Sequence, residues 1–144
     1  MLDEPKKIKI ERFTDDRGDF TNISLDYFIP KRAYFISNSK KEVIRAYHGH
    51  KKEWKLFFVT KGVFTFKFIK IGEEEKLDKK IIEFTLSEKN PEIIICPPGW
   101  FNGFINRTEE NGLIVFSSST MEESKEDDFR IPFNKFDGWE VKNR

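Results

Sequence analysis

Short apolar runs follow one another along this chain, each cut by turn residues, and hardly any stretch keeps a helical period. Strands this short, spaced by turns, predict an all-β sandwich or barrel of the jelly-roll kind. Ile8 and Ile10 alternate with Lys7, Lys9 and Glu11, and Asp15 to Asp19 make a charged turn. Further strands are expected at 20–25, 32–36, 43–48, 56–60, 63–69, 79–86, 92–96, 103–106 and 112–118. Lys61-Gly62 reads as a tight connection, and 72–80 as a charged loop or hairpin end. Only 121–128 reads as helical, with Thr120 as N-cap and acids early in the segment. From about residue 120 a short aromatic extension, Phe129 to Trp139, is expected to pack on the body or on a second subunit.

The chain of 144 residues suits one domain, and its 16 Phe would fill much of the core. A net charge of +1 argues against a nucleic-acid-binding surface. The single cysteine, Cys96, excludes an intrachain disulfide and fits a reducing cytoplasm. Its apolar setting reads as a buried thiol rather than a nucleophile. Met1 to Lys7 shows no signal-peptide core, and no apolar run is long enough for a membrane helix.

Both histidines fall in the stretch Arg45 to Leu56, between the apolar runs Val43-Ile44 and Leu56 to Val59. Charged groups held between buried strands usually line a pocket. His48 and His50, two apart on a strand, share one face. With Glu53 they resemble the metal set of many cupins, although the spacing from His50 is short and a third histidine is missing. A metal site and a structural histidine pair remain alternatives to the favoured reading, acid–base chemistry. Arg45 and His48, three apart, need a bend or bulge to share a face. Arg45 could then hold an anion while His48 acts as base. Lys55 could stabilise negative charge developing on oxygen, or stand exposed at a strand end. Pro97 to Phe104 reads as a rigid loop aiming Trp100 and Phe101, or as a structural corner.

Together these residues resemble the cupin-type enzymes of nucleotide-linked 4-keto-6-deoxysugars. Asp15 to Phe20, Arg45-Ala46-Tyr47-His48 and Pro97 to Phe104 are similar to motifs of the dTDP-4-dehydrorhamnose 3,5-epimerase family, except that Asn102 stands for a histidine. Arg45 to Lys51 and Pro30 to Ile36 resemble still more closely the dTDP-sugar 3,4-ketoisomerases. The resemblance implies a cupin-type jelly roll that removes a proton beside a ketone, without metal or organic cofactor. It implies His48 as base, His50 as a second catalytic histidine and Lys55 beside the carbonyl oxygen. Arg45 and Arg17 would hold the diphosphate, Arg17 in its own or a neighbouring subunit, with Phe20 near the nucleotide. Tyr47, Trp100 and Asn102 complete the expected substrate contacts. The position matching the epimerase tyrosine acid is Phe116, which has no proton to give, so Tyr47, Tyr34 or water would substitute. The expectation is a cytoplasmic homodimeric isomerase of a dTDP-linked sugar, leaning to epimerisation. A 3,4-ketoisomerase and a non-catalytic sugar-binding cupin are the alternatives.

Overall fold

The computed structural model describes residues 2–136 and 138–141. Its elements are β1 (Lys6–Lys9), β2 (Glu11–Asp15), β3 (Gly18–Asn22), β4 (Arg32–Ile36), β5 (Ile44–His50), β6 (Lys55–Lys61) and β7 (Val63–Lys70). Then follow β8 (Ile81–Ser87), β9 (Glu92–Cys96), β10 (Trp100–Asn106), β11 (Gly112–Ser117), helix α1 (Met121–Glu126) and β12 (Phe129–Arg130). One antiparallel sheet runs β1-β9-β6-β11-β4, the other β12-β5-β10-β7-β8, and β2-β3 forms a separate hairpin. The architecture is the expected all-β jelly roll.

Side chains alternate across each sheet, and the inner faces meet in one core. Phe57, Val59, Ile94, Leu113 and Val115 of the first sheet pack on Phe64, Phe66, Phe68, Leu86 and Phe104 of the second. The phenylalanines interlock across the gap, with Phe57 centred 5.2 Å from Phe66 and 6.0 Å from Phe68. Tilted and edge-on contacts of this kind add to the area they bury.

The outer faces are covered as well, which is why several strands read as unbroken apolar runs. Leu56, Ile93 and Ile95 lie under Ile8, Ile10, Phe28 and Trp54. Ile44, Tyr47, Ile69, Phe101 and Ile105 lie under the extension, which contributes Phe136 and Trp139. Cys96 is in the inner core, where burial pushes its thiol up to about 12.

Several boundaries differ from the expected ones. The strand expected at 103–106 begins at Trp100, immediately after Pro98-Gly99, so Trp100 and Phe101 are strand residues rather than loop tips. The strand expected at 20–25 is shifted to Gly18–Asn22, because it pairs with Glu11–Asp15, Phe20 opposite Phe13. The strand expected from Lys79 starts at Ile81. Elsewhere the local signals are realised. Gly62 turns β6 into β7 at φ 76°, a conformation that favours glycine. Thr120 caps α1, accepting from the Glu123 amide while the Glu123 carboxylate accepts from the Thr120 amide.

Candidate active site

At one end the space between the sheets opens into a cavity of about 770 Å³. β5 supplies its titratable wall. Opposite β10, His50 pairs with Trp100, His48 with Asn102 and Arg45 with Phe104, so three steps on β5 match two on β10. That register shift puts Arg45 on the same face as the two histidines, as a bulge does. It lies around the cis peptide bond Ala46–Tyr47. Gly103 allows the close approach, since a Cβ there would stand 2.5 Å from the Ala46 Cβ.

Lys55 reaches the cavity from β6, one step beyond the inner-core residue Phe57. β4 contributes Arg32 and Tyr34. The remaining wall comes from the segment after β11, with Met121, Ser124, Lys125, Asp128, Arg130 and Ile131. Asn102 lines the cavity, 4% exposed, and donates its amide to the His48 carbonyl at 3.1 Å.

The far segment is latched at several points. The Asp127 carboxylate accepts from the backbone amides of Lys51 and Lys52 at 2.9 and 2.7 Å. Its backbone carbonyl lies 2.5 Å from His50 Nδ1. A carbonyl can only accept, so Nδ1 carries the hydrogen, and neutral His50 keeps its lone pair on Nε2. Tyr47 and Ile131 exchange backbone hydrogen bonds, and β12 sets Arg130 opposite His48.

Behind the cavity the Glu53 carboxylate is fully buried, 3.5 Å from Arg32 Nη2, 3.8 Å from Lys55 Nζ and 3.8 Å from His50 Nδ1. It faces three basic groups at once. Arg130 pairs with Asp128 at 2.9 Å. Cations therefore outnumber carboxylates around the cavity, which suits an anionic ligand.

Burial, then the positive charges of Lys55 and Arg130, pushes the His48 imidazole down to about 4, against a smaller opposing pull from Asp128. His48 is therefore a free base at neutral pH, in the field of two cations. Burial and Lys55 also lower His50, while Glu53 and Asp127 oppose them.

Arg45, His48, His50, Lys55 and Asn102 of the expected site residues are thus together. Tyr47 also lines the cavity, beside them on β5, but its ring packs elsewhere. Its ring turns to the outer face, 5.7 Å from Trp139 and 6.0 Å from Phe136, and burial pushes its phenol up to about 12. Trp100 is an inner-core residue, 6% exposed, donating to the Asp3 carbonyl at 3.1 Å. Arg17 and Phe20 lie on the β2-β3 hairpin and do not line the cavity, and Arg17 pairs with Asp15 at 2.6 Å. Phe116 faces the outer core with Leu56. The sequence did not mark Arg32, Asp127, Asp128 or Arg130 as site residues. Only the acidic run before Phe129 hinted at them.

Known proteins share this fold. The chain is 27% identical to the spore coat polysaccharide biosynthesis protein SpsL of Bacillus subtilis, with 93% of this chain and 91% of the relative covered. A structure of the QdtA 3,4-ketoisomerase from Thermoanaerobacterium thermosaccharolyticum in complex with TDP superposes with a TM-score of 0.71 at 25% identity, covering 91% of this chain and 90% of that one. The dTDP-4-dehydrorhamnose 3,5-epimerase of Bacillus anthracis, with TDP and PPi bound, superposes with a TM-score of 0.76 at 18% identity, covering 90% and 79%. The latter likeness is one of fold. The model of the polysaccharide biosynthesis C-terminal domain matches residues 13–129, a span that takes in β4, β5, β6, β10 and α1, and the chain belongs to that family.

Proposed function

We propose that the protein is an isomerase of a nucleoside-diphosphate 4-keto-6-deoxysugar, with a dTDP-linked sugar as substrate, serving deoxysugar or polysaccharide biosynthesis. The observation that carries this reading is His48, a free base in a cationic cavity that Lys55 and Arg130 also line. A proton beside a ketone is weakly acidic, and its removal requires a positioned base and a cation at the developing oxyanion. His48 takes the C3 proton, and Lys55 stabilises the enolate oxygen at C4. Arg45 holds the diphosphate. Return of a proton to the opposite face of C3 inverts that carbon. Tyr34 lines the cavity and serves as the acid for this step, since the ring of Tyr47, another lining residue, packs against Trp139 and Phe136, and Phe116 packs in the outer core.

One observation favours 3,4-ketoisomerisation as the second reading. Neutral His50 offers a lone pair at Nε2 rather than a proton, which suits passing a proton between the C3 and C4 oxygens. Protonation at C4 then leaves the ketone at C3. Both reactions share the enediol-type intermediate.

The second subunit enters through the β2-β3 hairpin. It pairs with neither sheet, and Phe13 and Phe20 stand 61% and 66% exposed. In the homodimer this hairpin carries Arg17 and Phe20 to the neighbouring cavity, and sedimentation of the purified protein as a monomer would refute it. A cytoplasmic location is part of the same reading and rests on the lone reduced thiol of Cys96 and the nucleotide-linked substrate.

Incubation with dTDP-4-keto-6-deoxyglucose in deuterated water tests the reaction. Deuterium at C3 with inversion marks an epimerase, and a product ketone at C3 marks a ketoisomerase. Binding without exchange across several nucleotide sugars overturns both and leaves a binding module.

A further inference from the structure

Arg45 is an exposed arginine at the cavity mouth, and an unrestrained arginine loses much rotamer freedom on gripping a ligand. This one is restrained. Its Nε donates to Asn38 Oδ1 at 2.7 Å. Asn38 lies in the loop between β4 and β5 and is only 7% exposed.

The orientation of the Asn38 amide follows from its neighbours. Asn106, fully buried at the end of β10, donates its Nδ2 to the carbonyls of Lys40 and Thr108 at 2.8 and 3.0 Å. Its Oδ1 must then be the acceptor, and it takes the Val43 amide at 3.0 Å. Asn38 presents its Nδ2 to the same oxygen at 2.9 Å, which leaves Asn38 Oδ1 turned to Arg45. Asn111 holds the Asn38 backbone from both sides, accepting from its amide at 2.6 Å and donating to its carbonyl at 3.1 Å. Asn38 is thus fixed by Asn106 at the end of β10 and Asn111 in the β10–β11 connection, and neither of its side-chain atoms can swing away without orphaning a buried group.

We propose that Asn38 is a positioning residue for Arg45, fixing the guanidinium through Nε so that both terminal nitrogens meet the phosphates of the substrate. Among the described residues those two nitrogens have no protein partner. A guanidinium held in this way presents a fork that matches two phosphate oxygens. Its ordering is completed before the ligand arrives, so the gain goes to affinity rather than to the chemical step. The assignment rests on the nucleotide-sugar reading, because that reading supplies the diphosphate.

Isothermal titration with dTDP and with inorganic pyrophosphate tests it through a double-mutant cycle. Asn38→Ala is expected to weaken dTDP binding about tenfold, in the range of one hydrogen bond to a charged donor. Arg45→Ala should weaken it at least as much, and the double variant no further than Arg45→Ala alone. In an Arg45→Lys background, which has no Nε, Asn38→Ala should leave the affinity unchanged. In turnover, Asn38→Ala should raise KM while kcat for exchange at C3 stays near wild type. Should Asn38→Ala fail to fold, Asn38→Ser, too short to reach Nε, replaces it. Additive losses, or an equal effect of the Asn38 change in the lysine background, overturn the positioning role while leaving the functional reading intact. A wild-type protein that binds neither dTDP nor pyrophosphate overturns both.

Discussion

The two ends of the space between the sheets are built from the same strands, yet they differ in kind. On the inner face of β6, Lys55 gives way to Phe57 and Val59. On β11, Ser117 gives way to Val115 and Leu113, and on β10, Asn102 to Phe104. Stability is concentrated at the aromatic end, where side chains touch only one another. The polar end holds the cavity, where cations outnumber carboxylates. Each strand changes from one task to the other within two or three residues of the same face.

This division can be broken by substitution. His48→Asn should lower exchange at C3 by about a thousandfold or more, the scale of a lost general base, with the melting temperature unchanged. Substantial residual exchange would remove His48 from the role of base. Phe66→Ala, at the closed end, should cost about 3–5 kcal/mol in denaturant unfolding and leave kcat per folded molecule near wild type. A Phe66 variant that folds normally but is inactive would show that the two ends are not separable. Lys55→Met should lower kcat about a hundredfold, comparable to losing one oxyanion donor, while nucleotide affinity is retained. Asp127→Ala, which unlatches the wall carrying Arg130, should cost about 2 kcal/mol of stability for two amide bonds to a carboxylate, and lower activity as well.

The smallest effect is that of pH, and it sharpens the contrast. His48 titrates at about 4 in the fold against about 6.5 in the unfolded chain, so the unfolded chain binds the proton more readily. Its contribution to stability is complete above about 6.5 and is lost as pH falls through about 4. The acid limb of kcat/KM should lie in that lower range. Melting curves of His48→Asn from pH 7 to 4 should be flatter than those of wild type, and a slope equal to that of wild type would mean that another group dominates.

The fold was largely legible because period-two alternation and Gly or Pro turns are local signals. His48 and His50 were legible as a pair for the same reason. The joining of Arg45 to them required a register shift, which two-strand pairing shows and spacing alone leaves open. The ring of Tyr47 turns to the outer face because adjacency to His48 on a strand puts the two side chains on opposite faces. Trp100 was misplaced because Pro97-Pro98-Gly99 suggested a loop where the strand had already begun. Asp127, Asp128 and Arg130 could not be singled out from the acidic tail because a two-residue strand, β12, brings that segment to β5 from far along the chain. Nothing local encodes that docking.

The latched wall has a consequence for how the molecule comes to life. Ribosomes release the strands bearing His48 and Lys55 long before Arg130 emerges, so on the proposed function a nascent chain holds base and oxyanion donor before the wall opposite them exists. The wall that carries Arg130 is the last part of the cavity to be made.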